Sequence, residues 1–124
     1  MGRAWRCVVL DVMRTVTIPV EKIADWPNFH DTFQRELGFP GFYGRNMNAW
    51  MDCMTSVDTP SDGMTTVTVE PGEILVLRID EPFEFRRRCP AQYDALVEST
   101  AFVNFRRVEI GESPVIALLL VGRS

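Results

Sequence analysis

The 124-residue sequence contains one histidine, three cysteines and only two tyrosines, and each scarcity excludes a class of chemistry. His30 has no second histidine to join it and no cysteine nearby in sequence. No set of residues with metal-ligand spacing forms, and neither a metal nor another cofactor is expected. Cys7, Cys53 and Cys89 are odd in number and include no C-x-x-C pair. That argues against a disulfide framework and for reduced, partly buried thiols. Near the start, the apolar stretch Cys7–Leu10 is broken by Asp11 and Arg14, far short of a secretory core or a membrane span. A cytoplasmic protein with no membrane contact is expected. Also missing are G-x-S-x-G, H-E-x-x-H, a phosphate-binding P-loop and a glycine-rich dinucleotide turn. Asp52 and Cys53 are no nucleophile–base pair, because adjacent helical residues do not face one another. No catalytic residue is assigned, and an enzyme is not expected.

Positive charge is short as well. Thirteen Lys and Arg stand against seventeen Asp and Glu, for a net charge of −4. A partner that is itself a polyanion requires clustered basic residues. The basic runs here, Arg86–Arg88 and Arg106–Arg107, sit among Glu81, Glu84, Glu98 and Glu109 and read as a solvated helix face. Nucleic acid is therefore not the expected partner, whereas a basic protein is well matched.

What is present suits one α/β domain over residues 1–124, with no repeat and no low-complexity tract. Trp5 to Pro19 is rich in Val, Ile, Leu and Thr and reads as one long strand or two short ones bent near Met13. Trp26, Phe29, Phe33 and Leu37 follow at spacings of three and four. They predict an amphipathic helix capped by Asp25, with Pro27 tolerated in its first turn and Gly38 as its stop. Phe39–Gly44 is a loop. A second helix is predicted from Met47 to Thr55 with Asn46 as its cap. Asp58–Gly72 is a loop in which Thr65–Val69 can form a short edge strand. Glu73–Ile79 is a strand, Pro82–Cys89 and Ala91–Val108 are helices divided at Pro90, and Val115–Val121 is a strand. Since this last strand lacks polar alternation, burial on both faces at the centre of a parallel sheet is predicted. Strands alternating with helices imply crossovers and an α/β architecture.

On the second helix, Met47, Trp50, Met51 and Met54 share one side and predict a buried face, the methionines as core filler. Asn48, Asp52 and Thr55 gather on a neighbouring side, with Ala49 and Cys53 as small residues further round. His30, on the first helix beside Asp31, reads as a surface or half-buried structural histidine.

The run F-Y-G-R-N-M-N-A-W-M-D-C (Phe42–Cys53) resembles the signature of the barstar family, in which a P-x-Y-Y-G-x-N loop precedes a helix carrying D-A-L-W-D-C-L. The resemblance extends upstream through Arg35-Glu36-Leu37 to Ile23. It covers residues 15–57 at the level of sequence, and most of the remainder as a pattern of elements. It implies a three-stranded parallel sheet flanked by helices, to which the N-terminal segment or the 58–72 insertion can add an edge strand. It also implies an intracellular inhibitor, an immunity protein that closes the active site of an extracellular-type ribonuclease with the second helix and its preceding loop. The free protein would be a monomer.

Carried over position by position, Phe42 packs on the enzyme's catalytic face, and Gly44 and Asn46 permit close approach. Asn48, Ala49, Asp52 and Thr55 form the helical contact face, with Asp52 standing in for the scissile phosphate. Tyr43 and Trp50 belong to the core. Three positions depart from the family pattern. Asn48 replaces a carboxylate, Arg45 an acidic or neutral residue, and Met51 an aromatic, which makes the face less negative. Glu98 and Asn104 both lie near the place of the family's later acidic contact. The alternative is a barstar-fold adaptor, or an immunity protein against a toxin other than a ribonuclease.

Overall fold

A computed structural model describes residues 13–123. The predicted strand over Trp5–Pro19 is found as β1, Met13–Thr17, and its part before residue 13 lies outside the described residues. A 3-10 turn at Val20–Lys22 leads to α1, Trp26–Leu37. The Asp25 side chain caps α1 by accepting from the Asn28 amide at 2.9 Å. Gly38 ends it with φ of 68°, a left-handed conformation that favours glycine. After the loop comes α2, Met47–Thr55, where Asn46 Oδ1 accepts from the Ala49 amide at 2.8 Å. A second 3-10 turn, Pro60–Asp62, precedes β2, Ile74–Asp80. Then follow α3, Pro82–Arg88, α4, Pro90–Glu109, and β3, Ile116–Val121. Pro90 cannot supply the amide that would join α3 to α4, so the chain breaks there as predicted.

The three strands form one parallel sheet in the order β1-β2-β3, with Met13 opposite Ile74 and Leu75 opposite Ile116. Leu75, Leu77 and Ile79 of β2 are fully buried at period two, and Val76 on the opposite face is buried too. Leu75, Leu77 and Ile79 meet Phe29, Phe33 and Leu37 of α1, Trp50 and Met54 of α2, and Leu96 and Val103 of α4 in one apolar cluster. The Phe33 and Trp50 rings meet edge-on at 5.6 Å between centroids and lock α1 against α2.

Three expectations are corrected. β2 is the central strand, and β3 lies at an edge with Leu119 and Leu120 44% and 45% exposed. Each crossover sets its strand beside the one before, so the last strand ends outermost. An unbroken apolar run marks a parallel strand without marking its place in the sheet. Thr65–Val69 forms no strand, because its backbone bonds go elsewhere. The Thr66 and Val67 amides donate to Leu37 O at the end of α1, and the Val69 amide donates to Val57 O. Arg107 is buried rather than solvated. Its guanidinium pairs with Asp58 at 2.6 Å and donates to Thr55 O at 2.9 Å and Ser113 O at 2.8 Å. It thereby ties α4 to the end of α2 and to the turn before β3.

Candidate surface of the second helix and its loop

The loop from Gly38 to Asn46 is held along one strip of α1. Near its start, the Gly38 and Phe39 amides donate to Gln34 O, and Gln34 Nε2 donates to Pro40 O at 3.1 Å. In the middle, Tyr43 turns inward, packs on Phe39 with ring centroids 4.8 Å apart, and hydrogen-bonds His30 Nδ1 at 2.6 Å. Burial lowers the His30 pKa, with help from nearby Arg45 and against Asp31. Burial likewise raises the Tyr43 phenol well above its ordinary value, so the hydrogen bond joins two neutral groups. The expectation of a surface or half-buried His30 is corrected: it is buried, because its ring packs against those of Trp26 and Tyr43. Tyr43 is a core residue as expected.

With Tyr43 turned in, Phe42 is turned out and is 77% exposed. An aromatic of that size so exposed at a loop tip contributes little to its own core. Gly44 lies close to α2, where a Cβ would come within 3.3 Å of Ala49 Cβ. Asn46 serves the helix twice, since its Nδ2 also donates to Gly44 O at 3.3 Å. Trp50, Cys53 and Met54 point into the core. Asp52 is exposed, and its carboxylate has no hydrogen-bond or ion-pair partner among the described residues. Burial, aided by the charge of Asp52, pushes the Cys53 thiol up to about 11, so it stays protonated.

Four of the residues singled out in the sequence, Phe42, Gly44, Ala49 and Asp52, line one depression of about 210 Å³ together with Tyr43, Cys53 and Met64. Asn48 and Asn46 are exposed beside it. Thr55 stands apart in one respect, since its hydroxyl is committed to Met51 O at 2.7 Å on its own helix. Sequence reasoning missed Met64, which the 58–72 insertion brings to the depression without any local signal. Arg45 differs from the reading that it adds positive charge to this surface. Its guanidinium folds back on α1, 2.8 Å from Asp31 and 3.1 Å from Pro27 O. Of the two candidates for a later acidic contact, Asn104 is engaged in holding β3. It donates to Ile116 O at 2.7 Å and accepts from the Val115 and Ile116 amides. Glu98 is exposed on α4.

Among the described residues no cluster of three or more His, Cys, Asp or Glu could hold a metal ion, and no helix is long and apolar enough to cross a membrane. The arrangement places an exposed aromatic and an exposed carboxylate in the lining of one depression beside a well-capped helix.

Fold and surface together define a small parallel α/β protein that presents one helix and its leading loop outward. A family model described as barstar, the barnase inhibitor, matches residues 13–105, and the chain belongs to the barstar family. Over 49 residues the chain is 39% identical to a Bacillus subtilis (strain 168) protein named "Putative ribonuclease inhibitor YrdF". That similarity covers 39% of this chain and 54% of the relative, so the chain spans about half the length of the curated relative it matches.

Proposed function

We propose that this chain is an inhibitor of a ribonuclease and acts by laying α2 and the Phe42–Asn46 loop across the enzyme's active site. Phe42 fills an apolar slot, and Asp52 occupies the position of the substrate phosphate and takes charge-assisted hydrogen bonds from the enzyme's cations. Asn48 and Ala49 complete the helical contact. Gly44 and Asn46 let the backbone approach, and Thr55 closes the far end through contact of its methyl group. The observation that carries this reading is the pairing of an unpartnered carboxylate with an exposed aromatic in the lining of one depression. A surface carboxylate is at ease in water, but an aromatic left 77% exposed gains little from its own fold, so the two together favour contact with a partner. In this reading residues 1–124 form one domain that is monomeric when free, has no catalysis of its own, and protects the cytoplasm from an enzyme destined for export.

The test compares Asp52→Ala with Asp94→Ala, which removes an exposed carboxylate from α4 instead. Co-expression of the wild-type chain with barnase, or with a secreted ribonuclease encoded beside its gene, should rescue growth. Asp52→Ala should lose about thirty-fold or more in affinity, as expected of a charged hot spot, and Asp94→Ala should lose nothing. Equal rescue by both variants refutes the role of Asp52.

One observation favours a second reading, an immunity protein for a toxin other than a ribonuclease. Asn48 is uncharged and Arg45 is turned away, so Asp52 is the single charge of the contact set. A partner so recognised can be less basic than a barnase-type enzyme. Capture of a non-nuclease toxin from the native organism, with no nuclease bound, would establish that reading over the first.

A further inference from the structure

The strip of α1 that carries the loop comprises Pro27, His30, Asp31 and Gln34, at spacings of three, four and seven that place them on one face. Gln34 fastens the beginning of the loop and His30 its middle, through Pro40 and Tyr43. Arg45 fastens its end. The Arg45 guanidinium reaches Asp31 Oδ1 at 2.8 Å, Pro27 O at 3.1 Å and Gln34 Oε1 at 3.4 Å. All three acceptors belong to α1. The backbone of Arg45 has φ of 54°, a left-handed conformation that a side chain with a Cβ adopts at a cost. The next residue is Asn46, the cap of α2. Arg45 is therefore the hinge where loop becomes helix, and the side chain at that hinge is bound to another element.

We propose that Arg45 and Asp31 form a positioning strut that fixes the angle between the Phe42 loop and α2, and so sets Phe42 and Asp52 in register for a partner. Arg45 acts through the loop and does not itself touch the partner. This rests on the binding surface proposed above, and deepens it by naming what holds that surface in shape. The pair is partly solvent-exposed, 40% at Arg45 and 56% at Asp31, so it contributes little to global stability. Its effect is local, and it weakens in high salt.

The strut is tested on the free protein by amide hydrogen exchange, so the outcome does not depend on the partner. The reporters are the Tyr43 amide, which donates to Pro40 O, and the Ala49 amide, which donates to the Asn46 side chain. The Leu77 amide in the central strand reports global opening. Arg45→Gly relieves the backbone strain and deletes the strut, while Asp31→Asn removes only the charge. In both, exchange at Tyr43 and Ala49 should quicken about three- to tenfold while Leu77 is unchanged. The exchanged pair Asp31→Arg with Arg45→Asp should restore most of the protection, since aspartate tolerates the left-handed conformation. Unchanged exchange at Tyr43 and Ala49 in the single variants overturns the proposal, as does a change shared equally by Leu77. Inhibition of barnase, measured alongside, separates the two claims. If the wild-type chain inhibits, the single variants should weaken inhibition and the exchanged pair should recover it. Recovery of loop protection without recovery of inhibition would mean that Arg45 contacts the partner directly, and would also overturn the proposal. If the wild-type chain does not inhibit barnase, the choice of partner fails while the exchange data still decide the strut.

Discussion

Deleting the Asp58 carboxylate should destabilise the protein more than any surface change, and the amount follows from what Arg107 touches. The side chains of Arg107 and Asp58 are 5% and 11% exposed, and the guanidinium meets both carboxylate oxygens, at 2.6 and 3.2 Å. Two further donors go to Thr55 O and Ser113 O. In Asp58→Ala the backbone carbonyls remain, but a buried cation loses its counter-charge. At an effective dielectric constant of about 20, a unit pair roughly 4 Å apart is worth about 4 kcal/mol. Breaking a buried pair by removing one partner costs about 3–5 kcal/mol in general. Against a total stability of about 5–15 kcal/mol, that is a large fraction, and Tm should fall by about 10 °C or more. Urea denaturation of Asp58→Ala, Arg107→Met and the double variant Asp58→Ala/Arg107→Met forms the assay. The double variant should be less destabilised than the sum of the singles by about 2 kcal/mol or more, because it leaves no orphaned charge. A loss below about 1 kcal/mol in Asp58→Ala, or simple additivity in the double variant, would refute the account of this pair as a buried, mutually dependent clamp.

Three further outcomes follow from single groups. The folded-state pKa of His30 lies below its ordinary value of 6.5, because burial and Arg45 disfavour its charged form. The unfolded chain therefore binds the extra proton first, so the stabilising contribution is complete above pH 6.5 and is lost as pH falls below it. Urea midpoints at pH 7.5 and 5.5 should differ in the wild type and differ less in His30→Gln. The Cys53 thiol, pushed up to about 11 and enclosed, should resist alkylation by iodoacetamide at pH 8 until the protein is unfolded. Prompt labelling of Cys53 under native conditions, read by peptide mass, would contradict its burial. Gly38→Ala should cost about 2–4 kcal/mol, since the position is left-handed and a Cβ would fall 1.8 Å from Thr66 Oγ1. The same denaturation assay reads this, and a cost below about 1 kcal/mol would show that Thr66 swings aside freely.

The helices were legible in the sequence because their signals are local. Asp25 and Asn46 each satisfy an amide three residues on, and apolar residues at spacings of three and four name the buried faces. The clustering of Phe42, Gly44, Ala49 and Asp52 at one depression was legible for the same reason, since all four lie within eleven consecutive residues and one element pair. Strand order was not, because β2 and β3 have similar apolar runs and only the path of the crossovers decides which is flanked on both sides. Met64 escaped notice because it comes to the depression from the insertion, which carries no periodic pattern.

The two arginines misread as free surface charge share one cause. Arginine has five donors in a planar fork, so it can tie together backbone carbonyls and carboxylates from segments far apart in the chain. Arg107 joins residues 55, 58 and 113, and Arg45 joins residues 27, 31 and 34. A charge run reads as a solvated face only when its neighbours in space are also its neighbours in sequence, and for these two residues they are not. The consequence reaches the partner. Counting residues along the loop puts a cation beside Asp52 and predicts a muted, self-cancelling surface. Tracing where the Arg45 guanidinium goes removes that cation, and Asp52 faces outward alone, with Phe42 as its apolar companion. In the proposed complex, recognition would depend on fit around Phe42 and on one opposing positive group. Its association rate should accordingly respond to ionic strength more weakly than that of an inhibitor presenting several carboxylates.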